Sequence, residues 1–269
     1  MIRIVGVSIL LLLSIVTASF SQAAEAVAIP NQVDVSARFL ARTYSPGLSF
    51  NPQVGFAQSL WGDSTTPWHG FVRPYFIAVL SPSLYEGKLG IEVFPVSILG
   101  VDLRRTLSHR FTTTSNQDCI QVQCLGDLNY TDLSFQTYLG YGDYFASMRW
   151  TRTFFDALSD RTRPAYEAGA SVLISPEGEA GDNYTFAIGK NLAEKTQAGL
   201  LLQVGDYHGA GNHQDAQYLF LKTDCSAFGL EDLDATVGLG RFYSSRNVAD
   251  FSAIIFLTYT RSRAIGFGR

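Results

Sequence analysis

Past residue 26 the sequence has no apolar run long enough to cross a bilayer as a helix, which excludes a helical membrane bundle. Charge is scarce: charged residues make up 16% of the chain, against about a quarter in an average soluble domain. The 20 basic and 24 acidic residues leave a net charge of −4 and form no basic cluster, so nucleic acid is not expected as a partner. With 3 cysteines in 269 residues the chain is no disulfide scaffold. It contains no G-x-S-x-G and no His-x-Ser pair, in which both side chains would share one strand face. Amphipathic helical periodicity is also absent between the extended segments.

What is plentiful is glycine and aromatic side chains: 24 Gly, 19 Phe and 13 Tyr, with aromatics at 13%. Residues 129–155 show how they are used. Thr131, Leu133, Phe135, Thr137, Leu139 and Tyr141 alternate with Asp132, Ser134, Gln136, Tyr138 and Gly140. After Gly142-Asp143 the parity switches, with Tyr144, Ala146, Met148, Trp150 and Phe154 on one face and Ser147, Arg149, Thr151 and Thr153 on the other. Side chains alternate across a strand, so this is a β-hairpin with a greasy and a wet face. Each arm is about ten residues, the length that crosses a bilayer at a tilt.

The same pattern recurs along the chain, in about thirteen candidate strands including AYEAGASVLIS at 165–175. The segments 33–43, 50–60 and 216–227 alternate least regularly. Single-chain barrels use even strand numbers, so about twelve strands are expected, with ten or fourteen as alternatives. Pro74 fits a strand only where its missing N–H leaves the ladder intact.

The N-terminus reads as an export signal at 1–26: Arg3, the apolar run Ile4 to Val16, then Ser21-Gln22-Ala23 or Ala24-Glu25-Ala26 for cleavage. It lacks a lipobox cysteine. Residues 27–269 then form one domain. In an exported protein Cys119 and Cys124, in CIQVQC, read as a small disulfide loop within the polar connection 112–128, leaving Cys225 without an assigned partner.

Taken together, the signal, the serial alternating strands and the glycine and aromatic enrichment resemble a Gram-negative outer-membrane β-barrel protein. The resemblance implies an all-β antiparallel transmembrane barrel in the outer membrane, surrounded by lipid and lipopolysaccharide and inserted by the barrel assembly machinery. Such proteins usually close on an aromatic residue, whereas RSRAIGFGR follows Thr260 here, so the last strand either extends to Phe267 or ends before a free tail.

Charges on the polar faces are too costly for lipid, so Glu86, Lys88, Glu92, Asp102, Arg104, Asp132, Arg149 and Glu167 are the candidate lumen lining. Paired they would plug a narrow barrel; hydrated apart they would line a channel for small polar solutes. Arg152 and Arg241 fall on the apolar parity, as residues near a strand end can. The rival from another class is a soluble β-sandwich or barrel, in the periplasm or secreted, with its apolar face inward around a ligand. A third is a barrel-embedded lipid acyl hydrolase, for which Ser108-His109 is the available pair; neighbouring strand residues point to opposite faces, which argues against it. Asp206, His208, His213 and Asp215 match no standard metal spacing and read first as a turn. No catalytic, cofactor or metal site is expected.

Overall fold

The computed structural model describes residues 31–43, 47–62, 68–112, 119–167, 172–193, 195–208, 212–226, 230, 232–245 and 248–264. The export signal and Phe267 lie outside the described residues. Twelve long strands form the wall: β1 (Gln32–Arg42), β2 (Gly47–Trp61), β3 (Gly70–Leu80), β4 (Leu84–Val96), β5 (Leu99–Arg110), β6 (Tyr130–Tyr141), β7 (Tyr144–Phe155), β8 (Ala180–Ala193), β9 (Thr196–Tyr207), β10 (Asn212–Asp224), β11 (Leu233–Ser244) and β12 (Val248–Ala264). Each pairs antiparallel with its sequence neighbours, and β1 pairs β12 from Gln32↔Ala264 to Arg42↔Ile254, closing the barrel. Full closure removes the unpaired edges that an open sheet leaves.

The alternation decides which face goes where. Exposed side chains include Leu89, Leu107, Ile188, Leu219 and Phe251, while Asp34, Arg73, Asp102, Asp132, Ser134 and Gln136 are buried. The apolar face is therefore outside, which overturns the soluble reading that needed it inside. Exposed aromatics gather toward both ends, Trp61, Trp68, Tyr141 and Tyr144 at one and Tyr85, Phe111, Phe154 and Tyr243 at the other, as interfacial girdles do. An arginine at Leu89, mid-strand and 66% exposed, is expected to cost about 2–4 kcal/mol in a lipid bilayer. Unfolding Leu89→Arg from liposomes in urea checks this, with Lys88→Arg on the inward face as control.

The three least regular candidates all form wall strands, β1, β2 and β10. The surplus candidate is instead 165–175. Among the described residues there, Ala165–Glu167 and Val172–Ile174 are extended, and they pair with each other in a separate two-stranded ribbon. Its alternation was genuine, but both of its faces are covered by protein: Ala165, Val172 and Ile174 are fully buried on one, and Tyr166 and Leu173 are buried on the other. Pro74 is accommodated within β3, where the ladder to β2 runs from Gly55↔Tyr75 to Gln58↔Val72 without a pair at Pro74. The segment 206–215 is only partly a turn, since β9 runs to Tyr207 and β10 starts at Asn212.

The first and last strands start and finish at the same end, which also carries the tight turns at 97–98 and 142–143. The opposite end carries the two longest connections, 111–129 and 156–179. The Cys119–Cys124 disulfide closes a loop in the first of these.

Candidate functional site: the barrel interior

Of the strands β1 to β7, all but β2 line the lumen with charge. Arg73 of β3 reaches strands on both sides: it donates to Asp34 of β1, two strands away, 3.0 Å through Nε, and to Glu92 of the adjacent β4, 2.8 Å through Nη1. The guanidinium crosses β2 at Gly55, where a Cβ would stand 2.7 Å from Nε, so a side chain there would block it. Gly90 does the same for Tyr75, whose hydroxyl crosses β4 to donate to Asp102 at 2.8 Å. In a sheet with a filled inner face, these glycines set which residues two strands apart can meet.

Next in the ring, Lys88 pairs with Glu86 at 2.7 Å and lies 3.4 Å from the Tyr130 hydroxyl. Arg104 donates to Asp132 at 3.0 Å, and Thr153 donates to the other Asp132 oxygen at 2.6 Å. Arg149 donates to the neutral Gln136 carbonyl at 3.0 Å, beside a Ser134–Thr151 hydroxyl contact of 2.9 Å. Of the eight residues singled out above, seven sit on inward positions of β4 to β7, and six of those carry the contacts just described while Asp102 accepts from Tyr75. Glu167 differs, lying on the short ribbon rather than a wall strand, where it interacts electrostatically with Arg42 and Arg110.

The other side of the lumen carries an apolar cluster. Ala216 and Tyr218 of β10, Phe242 of β11 and Ile254 of β12 are buried together, with Leu40, Leu201 and Phe256 packed against them. Arg38 of β1 stands at the seam, its guanidinium carbon 5.8 Å from the Phe256 ring centre. It shares the inward parity of Asp34 yet remains exposed.

The ribbon 165–174 fills the mouth at the long-loop end. Ala165, Val172 and Ile174 pack on Leu128, Phe155, Leu158 and Tyr207. Asn212 of β10 donates to the Leu173 carbonyl at 2.9 Å, and Arg110 of β5 donates to the Tyr166 carbonyl at 2.9 Å. The disulfide loop is stitched to the same connection. Gln123 donates to the carbonyls of Arg163, at 2.7 Å, and Asp160, and Arg163 reaches the Cys119 and Ile120 carbonyls at 3.3 Å each. Val122, Tyr166 and Leu173 bury one another across the two loops.

Asp160 organises that junction. It accepts from the Thr162 hydroxyl, the Thr162 amide at 2.9 Å and Arg163 at 2.8 Å, and these bonds, the Thr162 hydroxyl first, hold its carboxyl down at about 2. A depressed carboxylate contributes stability above its ordinary value of 3.8 and loses it as pH falls through about 2. Thr162 amide hydrogen exchange, measured relative to the free-peptide rate at each pH, is expected to be protected at neutral pH and to lose that protection across the window. Asp160→Ala, which leaves no side-chain acceptor, should show the unprotected behaviour at every pH.

Several side chains lie outside the barrel at the same end. Arg152 lies 3.8 Å from Asp182, which also accepts from Trp150 at 2.9 Å and contacts His208 at 3.0 Å; His213 contacts Asp206 at 2.7 Å. Arg152 thus meets a carboxylate at the rim, and among the described residues no group of three metal-ligating side chains converges. Ser108 is buried on the inner face while His109 contacts Asp127 at 2.6 Å on the outer one, so the two form no Ser–His pair.

The sequence reading missed Asp34, Arg38, Arg73 and Tyr75. Arg73 is the one charge in HGFVRPYFIAVL, a stretch apolar on both parities, and only its position opposite Glu92 marks it. Asp34 and Arg38 share one parity of VDVSARFLAR, a signal that was available.

No family model matches the sequence, and no curated protein matches it significantly. Solved structures do match. The COG4313 outer membrane channel from Pseudomonas putida F1 is 10% identical, covers 92% of this chain and 100% of its own, and gives a TM-score of 0.53. The NanC porin is 7% identical over 84% of this chain and 98% of its own, with a TM-score of 0.44. The KdgM porin in complex with disordered oligogalacturonate has the same identity and coverages at 0.42. At such identities the likeness is one of fold, and the fold is that of a bacterial outer-membrane β-barrel.

Proposed function

We propose that the protein is a passive channel of the bacterial outer membrane, passing small polar solutes through a narrow lumen. The observation that carries this is Arg38: it faces inward from the wall and is still exposed, so the interior holds water rather than a packed core. The export signal at 1–26 would be cleaved, the barrel assembly machinery would insert the chain, and lipid and lipopolysaccharide would cover the apolar face. The long connections would lie outside the cell, since such barrels carry short turns on the periplasmic side. The charges of Glu86, Lys88, Glu92, Asp102, Arg104, Asp132, Arg149 and Glu167 would form the lining, with most of them neutralised in pairs.

A plugged structural barrel is the second reading, favoured by the buried ribbon in the mouth. Envelope fractionation, gel mobility before and after boiling, and planar-bilayer recording separate these. Outer-membrane recovery, a boiling-dependent shift and discrete conductance steps are expected. A mobility shift with a silent bilayer would leave the plugged barrel, and recovery in the soluble periplasm would sink both.

A further inference from the structure

Midway along the wall two arginines stand apart from the other cations, whereas Arg110 at the mouth is taken up by backbone carbonyls. Arg73, Lys88 and Arg104 each have a carboxylate within 3.0 Å. Arg149 bonds a neutral amide, and Arg38 lies over an aromatic ring; among the described residues neither makes an ion pair. They belong to β1 and β7, which lie diametrically opposite in the closed order of strands.

The ladder shows that they are also level. In one direction Arg38↔Asn51, Val79↔Glu86 and Glu86↔Ser108 lead to Leu128, whose amide bonds Ser108, and so past the last residue of β7. In the other, Arg38↔Thr258, Thr258↔Asp234 and Asp234↔Asp224 lead to Lys195 and so past the first residue of β7. The stagger of a tilted barrel displaces the two routes by equal and opposite amounts, so the height of Arg38 falls at the middle of β7, where Arg149 sits. Two like charges facing one another over a wet gap repel, and an anion between them relieves that repulsion.

Beside Arg38 the wall is Leu40 and Phe256, partly buried against the apolar cluster of β10 to β12. An ion held at Arg38 therefore has hydrocarbon and an aromatic ring within reach on one side. Hydrated inorganic ions gain nothing from such a wall, whereas a carbon frame does.

We infer that Arg38 and Arg149 form the selectivity element of the lumen, and that it takes small organic anions, carboxylates whose carbon frame lies against Leu40 and Phe256. This rests on the channel reading above. It names a substrate class for the same lumen and assigns the two residues that choose it.

The test is the reversal potential of the full-length barrel in a planar bilayer under a KCl gradient. Wild type is expected to favour chloride over potassium. Arg38→Gln with Arg149→Gln should bring the permeability ratio to unity or below, and Arg38→Lys with Arg149→Lys should keep it. Benzoate should block chloride current at lower concentration than acetate, a difference that Phe256→Ala removes. A non-selective or cation-selective wild type, or a double Gln variant that keeps wild-type selectivity, overturns the inference. Equal block by the two carboxylates overturns the organic class. If the bilayer is silent the channel reading falls, and calorimetry on detergent-solubilised protein decides the site: benzoate binding lost in the double Gln variant upholds it, and no binding to wild type overturns it.

Discussion

Excising residues 159–175 and joining Leu158 to Pro176 through a Gly-Ser turn is expected to raise single-channel conductance several-fold. The geometry permits the cut, because the Leu158 amide already bonds the Pro176 carbonyl at 2.8 Å and the Phe155 amide bonds Glu179 at 2.8 Å. Every ladder pair of β7 with β8, from Phe154↔Ala180 to Tyr144↔Lys190, lies outside the deletion. What leaves is the ribbon in the mouth. Val172 and Ile174 are wholly buried there, which holds the ribbon in by about 1.5–3 kcal/mol each. The ribbon is bonded from β5 through Arg110 and from β10 through Asn212, so it spans the mouth between non-adjacent strands. Arg110 keeps its bonds to the Gly126 carbonyl at 3.1 Å and the Gln123 carbonyl at 3.0 Å after the cut. A boiling-dependent mobility shift like that of wild type shows that the barrel has closed. Unchanged conductance in such a protein would mean that the narrowest passage lies elsewhere.

The contrast between that ribbon and the wall shows what an alternating pattern can carry. Strand parity was legible in most of the wall, because lipid on one side and water on the other leave little freedom to residues such as Leu89 and Lys88. The direction of the faces was legible only through length and composition: the same alternation serves a soluble sandwich, and the exposure of Leu107, Leu219 and Phe251 decides it. At 165–175 the alternating residues meet protein on both sides, Leu128 and Phe155 among them, and no local signal distinguishes protein from lipid. The weakly patterned β10 was the converse case. Its inward positions Ala216, Tyr218 and Phe220 are apolar because they pack in the lumen, which erased the polar half of the alternation. The lumen's split into a charged and an apolar wall was hidden for the same reason, since it depends on which strands become neighbours across the ring.

Arg73→Met is expected to be the most damaging single substitution in the wall, lowering stability by about 3–5 kcal/mol because it strands two buried carboxylates. Asp34 and Glu92 both lose their cation, and both side chains are less than a fifth exposed, at 12% and 16%. Arg73→Lys is expected to lose less, since an ammonium keeps the charge but not the fork that reaches Asp34 and Glu92 together. Removing all three charges at once, with Asp34→Asn and Glu92→Gln added to Arg73→Met, is expected to recover most of the loss, because a buried ion cluster contributes little net stability once its desolvation is counted. Urea unfolding of each variant in liposomes, followed by tryptophan fluorescence, measures the series. A loss under about 1 kcal/mol for Arg73→Met, the range of an exposed pair, would place the triad in open water. That outcome would reach further than stability. A triad in open water would leave Asp34, two turns of the alternation from Arg38 on the same strand, only loosely held by Arg73 and free to pair with Arg38 instead. Chloride selectivity would then weaken, so the rigidity of the Asp34–Arg73–Glu92 cluster and the freedom of Arg38 and Arg149 are two parts of one arrangement.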